Sequence, residues 1–101
     1  MTLYRVGYEP EADDEYWKLP PGLQRELRLR LSYLRAGPFR SYPGLKVKEV
    51  AGLPGAWRFH LRGYRVFYRL DGSVIWVVMI WKDRPSAYSS STLREVRRRM
   101  R

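Results

Sequence analysis

Cysteine is absent from this chain and histidine occurs once. Without thiols there is no disulfide framework, no thiolate nucleophile and no cysteine-based zinc finger, so a metal would have to be held by carboxylates alone. Carboxylates are themselves scarce, with 10 Asp and Glu against 20 Lys and Arg. Long apolar runs are missing too: the longest, Val74 to Trp81, falls far short of the roughly 20 residues that span a bilayer. The opening residues carry no charged-then-apolar leader. The expectation is a soluble, cytoplasmic protein with no membrane partner, no metal and no cofactor. At 101 residues the chain is expected to form one domain, 1–101, with a single core, and its function then sits on one face.

What the chain has instead is positive charge and aromatic rings. A net charge of +10 exceeds the magnitude of about 2 to 8 usual for a small domain, and points to a polyanionic partner. The basic residues are spread along the chain rather than gathered on one amphipathic helix, which favours nucleic acid over a membrane surface.

Leu3 to Tyr8 reads as a short strand closed by Glu9-Pro10. A helix follows with Ala12, Tyr16 and Leu19 on one side. Glu11, Asp13, Asp14 and Glu15 crowd its first turn, where they suit the helix dipole better than a metal site. Pro20-Pro21 opens a second helix, in which Leu23, Leu27, Leu31 and Leu34 recur at helical spacing until Gly37-Pro38. Its outer face holds Arg25, Arg28, Arg30 and Arg35, read chiefly as solvated cations. After a loop rich in Pro, Gly and Tyr, four strands are expected at 46–50, 56–62, 64–70 and 74–81, with Arg62-Gly63 and Asp71-Gly72 as two-residue turns. Ser91 or Thr92 caps a last helix, with Glu95 completing a capping box and Leu93, Val96 and Met100 forming a narrow apolar stripe. This order describes an α+β domain: two N-terminal helices packed on a mostly antiparallel twisted sheet, and a short C-terminal helix.

A turn at Arg62-Gly63 pairs Leu61 with Tyr64, His60 with Arg65, Phe59 with Val66, Arg58 with Phe67 and Trp57 with Tyr68. Alternation then puts Trp57, Phe59, Leu61, Tyr64, Val66, Tyr68 and Leu70 on the face that meets the helices. The other face carries Arg58, His60, Arg65, Phe67 and Arg69. Counting through Asp71-Gly72 sets Phe67 opposite Trp76 and Arg65 opposite Val78, which brings Ile80 and Lys82 onto the same face. Three strands are thus expected to converge on one cationic surface. Phosphodiester chemistry uses such equipment: cations for an anionic transition state, and in His60 a side chain that exchanges protons near neutral pH. A mid-strand arginine such as Arg65 suits phosphate binding through its planar fork. On spacing alone, His60 reads equally as a surface histidine and Tyr88 as a core or capping aromatic.

The residues Trp57-Arg58-Phe59-His60, then Gly-Tyr-Arg-Val-Phe-Tyr at 63–68 and Trp-Lys-Asp-Arg-Pro-Ser-Ala-Tyr at 81–88, resemble the RelE/ParE toxin superfamily of type II toxin–antitoxin systems, and the element order agrees along nearly the whole chain. In its RelE-like branch such proteins cleave mRNA within the ribosomal A site. Carried over by position, the resemblance implies catalytic roles for Arg58, His60, Arg65, Lys82 and Tyr88. Arg58 and His60 fall where that branch often has two lysines, and Arg65 matches the arginine of Gly-Tyr-Arg. Tyr88 matches the tyrosine near the C-terminus. Lys82 falls where RelE has a catalytic arginine, with Arg84 in that place if the loop is shorter. Lys46, Lys48 and Arg84 would hold RNA. His60 in place of lysine either supplies a true acid/base or weakens catalysis.

The implied reaction is a metal-independent transesterification in which a substrate 2′-hydroxyl attacks the adjacent phosphate, leaving a 2′,3′-cyclic phosphate and a 5′-hydroxyl. The implied partners are mRNA, the ribosome and a cognate antitoxin, with Trp76, Trp81 and the helix from Thr92 as candidate antitoxin contacts. ParE-like toxins share this fold but inhibit DNA gyrase by binding. That alternative stays open on the sequence, as does an inactive RNA-binding relic.

Overall fold

Proline opens both N-terminal helices, its missing N–H falling among donors that a first helical turn leaves unused. The computed structural model describes residues 3–82 and 90–100. Its elements are β1 (Arg5–Tyr8), α1 (Pro10–Trp17), α2 (Pro21–Leu34), β2 (Lys48–Glu49), β3 (Ala56–Leu61), β4 (Tyr64–Asp71), β5 (Val74–Lys82) and α3 (Ser90–Arg99). The sheet runs β1-β5-β4-β3-β2; β1 lies parallel to β5 and the other pairs are antiparallel. The α+β arrangement is the expected one. β2 is shorter than the 46–50 span, and α3 starts at Ser90, ahead of both expected caps.

Helices α1 and α2 bury Ala12, Tyr16, Leu27, Leu31 and Leu34 against Phe59, Leu61, Val66 and Tyr68 of the central strands, with Trp57, Tyr64 and Leu70 at the margin. All seven side chains assigned to this face by alternation therefore lie on it. The Tyr68 hydroxyl, buried among them, donates to the Pro38 carbonyl, so this large ring leaves no polar atom stranded. Three of the four arginines read as solvated cations, two in α2 and one at its C-terminal cap, are tied to the protein. Arg28 donates to the Tyr16 hydroxyl, Arg30 to the Gly44 carbonyl and to Glu26, and Arg35 to the Tyr4 carbonyl.

The opposite face of the sheet has a core of its own. Val50, Leu53, Ala56, Phe67, Val78, Met79 and Val96 are buried together there, with Leu93, Met100 and Trp81 packed at the edge. α3 covers this part of the sheet, which corrects the expectation that the face was cationic along its length. Trp76 and Trp81, taken from the sequence as exposed, are half-buried, with Arg69 5.9 Å over one ring and Arg99 6.0 Å over the other.

What fastens α3 is a gap in the sheet edge. β1 pairs only as far as Val77, so among the described residues Val78 and Ile80 present backbone groups to an edge that no strand covers. Glu15 of α1 accepts from the Ile80 N–H at 2.9 Å, and Arg99 of α3 donates to the Val78 carbonyl at 3.1 Å. Arg99 also grips both Glu15 oxygens, at 2.9 and 3.0 Å, a bidentate pair that locks the two helices across the edge. Glu11 adds a bond to Arg98. These acids do more than complement a helix dipole.

Hydrogen bonds from Arg98, and then from Arg99, hold the Glu95 carboxyl down at about 2, well below the carboxylate range. Its folded-state affinity for protons is thus lower than in the unfolded chain, so its contribution is complete above about pH 4.5 and fades as pH falls towards 2. Thermal melts between pH 5 and 2 should show Glu95→Gln losing less stability than the parent; identical acid losses would remove this assignment.

The β3–β4 register is the expected one, from Leu61 opposite Tyr64 through Trp57 opposite Tyr68. The β4–β5 register is not. Asp71 pairs with Val74, so the turn is Gly72-Ser73, with Gly72 at φ +58°. An Asp71-Gly72 turn of type I′ would force a positive φ on Asp71, whereas a glycine-first turn of the II′ kind asks it only of glycine. A bulge then follows between Phe67 and Tyr68: Tyr68 faces Val77, Phe67 faces Met79, and Val78 is the extra residue. Arg65 consequently stands opposite Trp81, not Val78, and Lys82 stands opposite Tyr64. Ile80 belongs to the helix-side core, and Lys82 shares its side of the strand.

Candidate functional site

Buried hydrophobic residues aim the cations. Val47, Phe59, Leu61 and Val66 point into the helix-side core, so their chain neighbours Lys46, Lys48, Arg58, His60 and Arg65 point the other way. The Val47 N–H donates to the Ser41 hydroxyl at 3.0 Å, which holds the approach to β2 in place. Across the sheet, Lys48 pairs with Arg58; two residues further along β3, His60 pairs with Arg65. Directly opposed residues have Cβ atoms about 5 Å apart. The strands therefore lay out two adjacent rows of cationic or protonatable groups.

All five line one open cleft of about 270 Å³. Among the described residues no carboxylate lines it. Arg65 sits at the inner side, half-buried with Nε and Nη1 shielded from solvent, while Lys46, Lys48 and His60 are exposed. Clustered positive charge around a partly desolvated guanidinium focuses field on an incoming anion, and the Arg fork matches two phosphate oxygens. An imidazole beside that clamp is placed to exchange a proton with a group on the bound phosphate.

Not every candidate reaches this cleft. Arg69 turns aside to Glu9, at 2.6 Å. Lys82 is exposed at the end of β5 on the helix side of its strand, which corrects its expected place on the cationic face. Arg84 and Tyr88 lie outside the described residues. Trp81 takes the position opposite Arg65 instead. Sequence reasoning also passed over Ser41, Tyr42, Gly44 and Leu45, which line a pocket that shares Lys46 and His60 with the cleft. The loop's Pro, Gly and Tyr content was the available signal.

A larger cavity lies elsewhere, about 500 Å³ between β1, α1 and α2, with Tyr8, Tyr16, Trp17, Arg28 and Leu31 in its wall. Burial pushes the Tyr8 hydroxyl up to about 12, so it stays protonated at neutral pH and cannot serve there as a base. Size alone does not make this cavity the site; the cleft is where the cationic side chains and the imidazole gather.

The ParE toxin family of type II toxin–antitoxin systems (parDE) matches residues 10–85. No curated protein matches the chain. Among solved structures it is similar to a mutant of the E. coli toxin RelE in the free state, with a TM-score of 0.76 and 21% identity over 98% of this chain and 99% of that one. It is similar to the isolated E. coli RelE toxin, with a TM-score of 0.66 and 26% identity over 90% and 97% of the two chains. A third likeness is to the archaeal RelE–RelB complex from Pyrococcus horikoshii, with a TM-score of 0.64 and 24% identity over 81% and 96%.

Proposed function

The chain belongs to the RelE/ParE toxin superfamily of type II toxin–antitoxin systems, and from that premise we propose that it is a metal-independent endoribonuclease that cleaves mRNA in the ribosomal A site. One observation carries this reading: Lys46, Lys48, Arg58, His60 and Arg65, drawn from three neighbouring segments of chain, line a single cleft. Arg65 and Arg58 bind the phosphoryl oxygens and stabilise the charge that grows on them as the substrate 2′-hydroxyl attacks. His60 moves a proton in that step. Lys46 and Lys48 hold the RNA backbone, with Lys82 and Arg84 as further RNA contacts. Tyr88 acts as the second proton carrier or stacks on a base; titrating ordinarily near about 10, it needs surrounding cations to act as a base. The partners are mRNA, the ribosome and a cognate antitoxin, as RelE is partnered by RelB in the Pyrococcus complex.

Primer extension on a message carried by programmed ribosomes tests the activity directly. Cuts at A-site codons are expected. The rival, inhibition of DNA gyrase by binding, draws support from the ParE family match; intact mRNA together with arrested gyrase supercoiling would install it. The same assay examines His60. His60→Lys keeps positive charge without an imidazole and should slow cleavage about a hundredfold, whereas full activity in this variant would assign His60 to charge stabilisation alone.

A further inference from the structure

Beside the cationic cleft lies a second pocket of about 380 Å³, lined by Ser41, Tyr42, Gly44, Leu45, Lys46 and His60. The two cavities share Lys46 and His60, so a chain whose phosphate lies in one extends naturally into the other. We propose that this pocket receives the base of a nucleotide next to the clamped phosphate and is where the protein senses the identity of its RNA. The inference rests on the ribonuclease reading above and names the residues that would read the substrate.

The loop is built to be held still. Tyr42 and Leu45 exchange both backbone hydrogen bonds, each at 2.8 Å, and Arg30 of α2 donates to the Gly44 carbonyl. Leu45 is buried in the helix-side core. The Tyr42 ring packs on Tyr33 at 6.0 Å between centroids, and its hydroxyl donates to the Gly37 carbonyl at 3.4 Å. An aromatic ring already fixed in place loses little freedom when a base stacks on it. Ser41 supplies a polar handle: its oxygen accepts from the Val47 N–H, which leaves the hydroxyl proton for an acceptor on the base. Stacking surface, aliphatic wall and one hydrogen-bond donor, adjoining a phosphate clamp, are the elements of single-stranded RNA recognition.

The test uses ribosomes programmed with a short synthetic message whose A-site codon carries one abasic nucleotide, moved through the three positions. At one position the missing base should slow wild-type cleavage about tenfold, the worth of one stacked base. Tyr42→Ala should be slow on the intact message, and the abasic nucleotide should cost it little more. Tyr42→Phe keeps the ring, so the abasic nucleotide should still slow it about tenfold at the same position. A 5-iodouridine at the sensitive position, irradiated in the wild-type complex, should become attached to the tryptic peptide spanning 41–46. This arm and the abasic series on wild-type protein decide the matter even if Tyr42→Ala fails to fold. Cleavage that is indifferent to the abasic nucleotide, or attachment to a peptide elsewhere, overturns the pocket and leaves the ribonuclease intact. Failure of the wild-type protein to cut any message removes the ribonuclease reading, and the pocket with it.

Discussion

Arg65→Ala should remain folded and lose about a hundredfold to a thousandfold in single-turnover cleavage, the scale on which removing one preorganised charge stabiliser acts. The size of the effect follows from where Arg65 stands. It lies on the central strand β4, directly opposite His60 on β3 and Trp81 on β5, with its inner nitrogens shielded from solvent. Lys46 and Lys48 lie exposed on the outer side of the cleft and cannot take over a fork-shaped grip. Arg65→Lys should recover only part of the rate, because an ammonium restores the charge without the two parallel donors. Matching melting curves for parent and variant would establish that chemistry, not folding, was lost. Unchanged cleavage in a folded Arg65→Ala protein would strip Arg65 of its role and move the phosphate clamp to another cation of the cleft.

Phe59→Ala should cost about 3 to 5 kcal/mol of stability, the range for removing a buried aromatic ring. Phe59 is fully buried in β3, with the ring of Tyr68 6.1 Å away across the strand pair. A domain of this size is stable by roughly 5 to 15 kcal/mol, so the loss is a large share of the total and should lower the melting temperature by at least about 12 °C. The substitution also bears on the site. Burial of Phe59 on the helix side is what turns its neighbours Arg58 and His60 outward into the cleft. Phe59→Leu, which keeps most of the apolar volume, should cost far less. A denaturation midpoint within a few degrees of the parent for Phe59→Ala would mean that this ring does not anchor the strand.

The site could be read from sequence on one side of β4 and not on the other, and the difference is physical. Between β3 and β4 the turn holds a glycine, and from Trp57 to Val66 the residues beside it alternate between apolar and basic, so one register suits them and a slip would bury arginines. From Val74 to Trp81 every residue is apolar, so a shift carries no penalty that a pattern could reveal. Gly72 served the turn as its first residue, not its second, and the bulge at Val78 then changed the parity of everything beyond it. Lys82 thereby left the cationic face and Trp81 entered it.

By itself the sequence determined the α+β order, the two faces of the β3–β4 hairpin and the gathering of Arg58, His60 and Arg65, because these follow from alternation and turn chemistry acting over a few residues. Only the tertiary structure decided how much of that face stayed open. The covering of its other part by α3 depends on Glu15 and Arg99, 84 residues apart, meeting at the unpaired end of β5. The joining of the 41–45 loop to the cleft depends on Arg30 and Gly44 meeting across 14 residues of chain. Contacts of this kind are set by which elements share a core, and no local propensity encodes them.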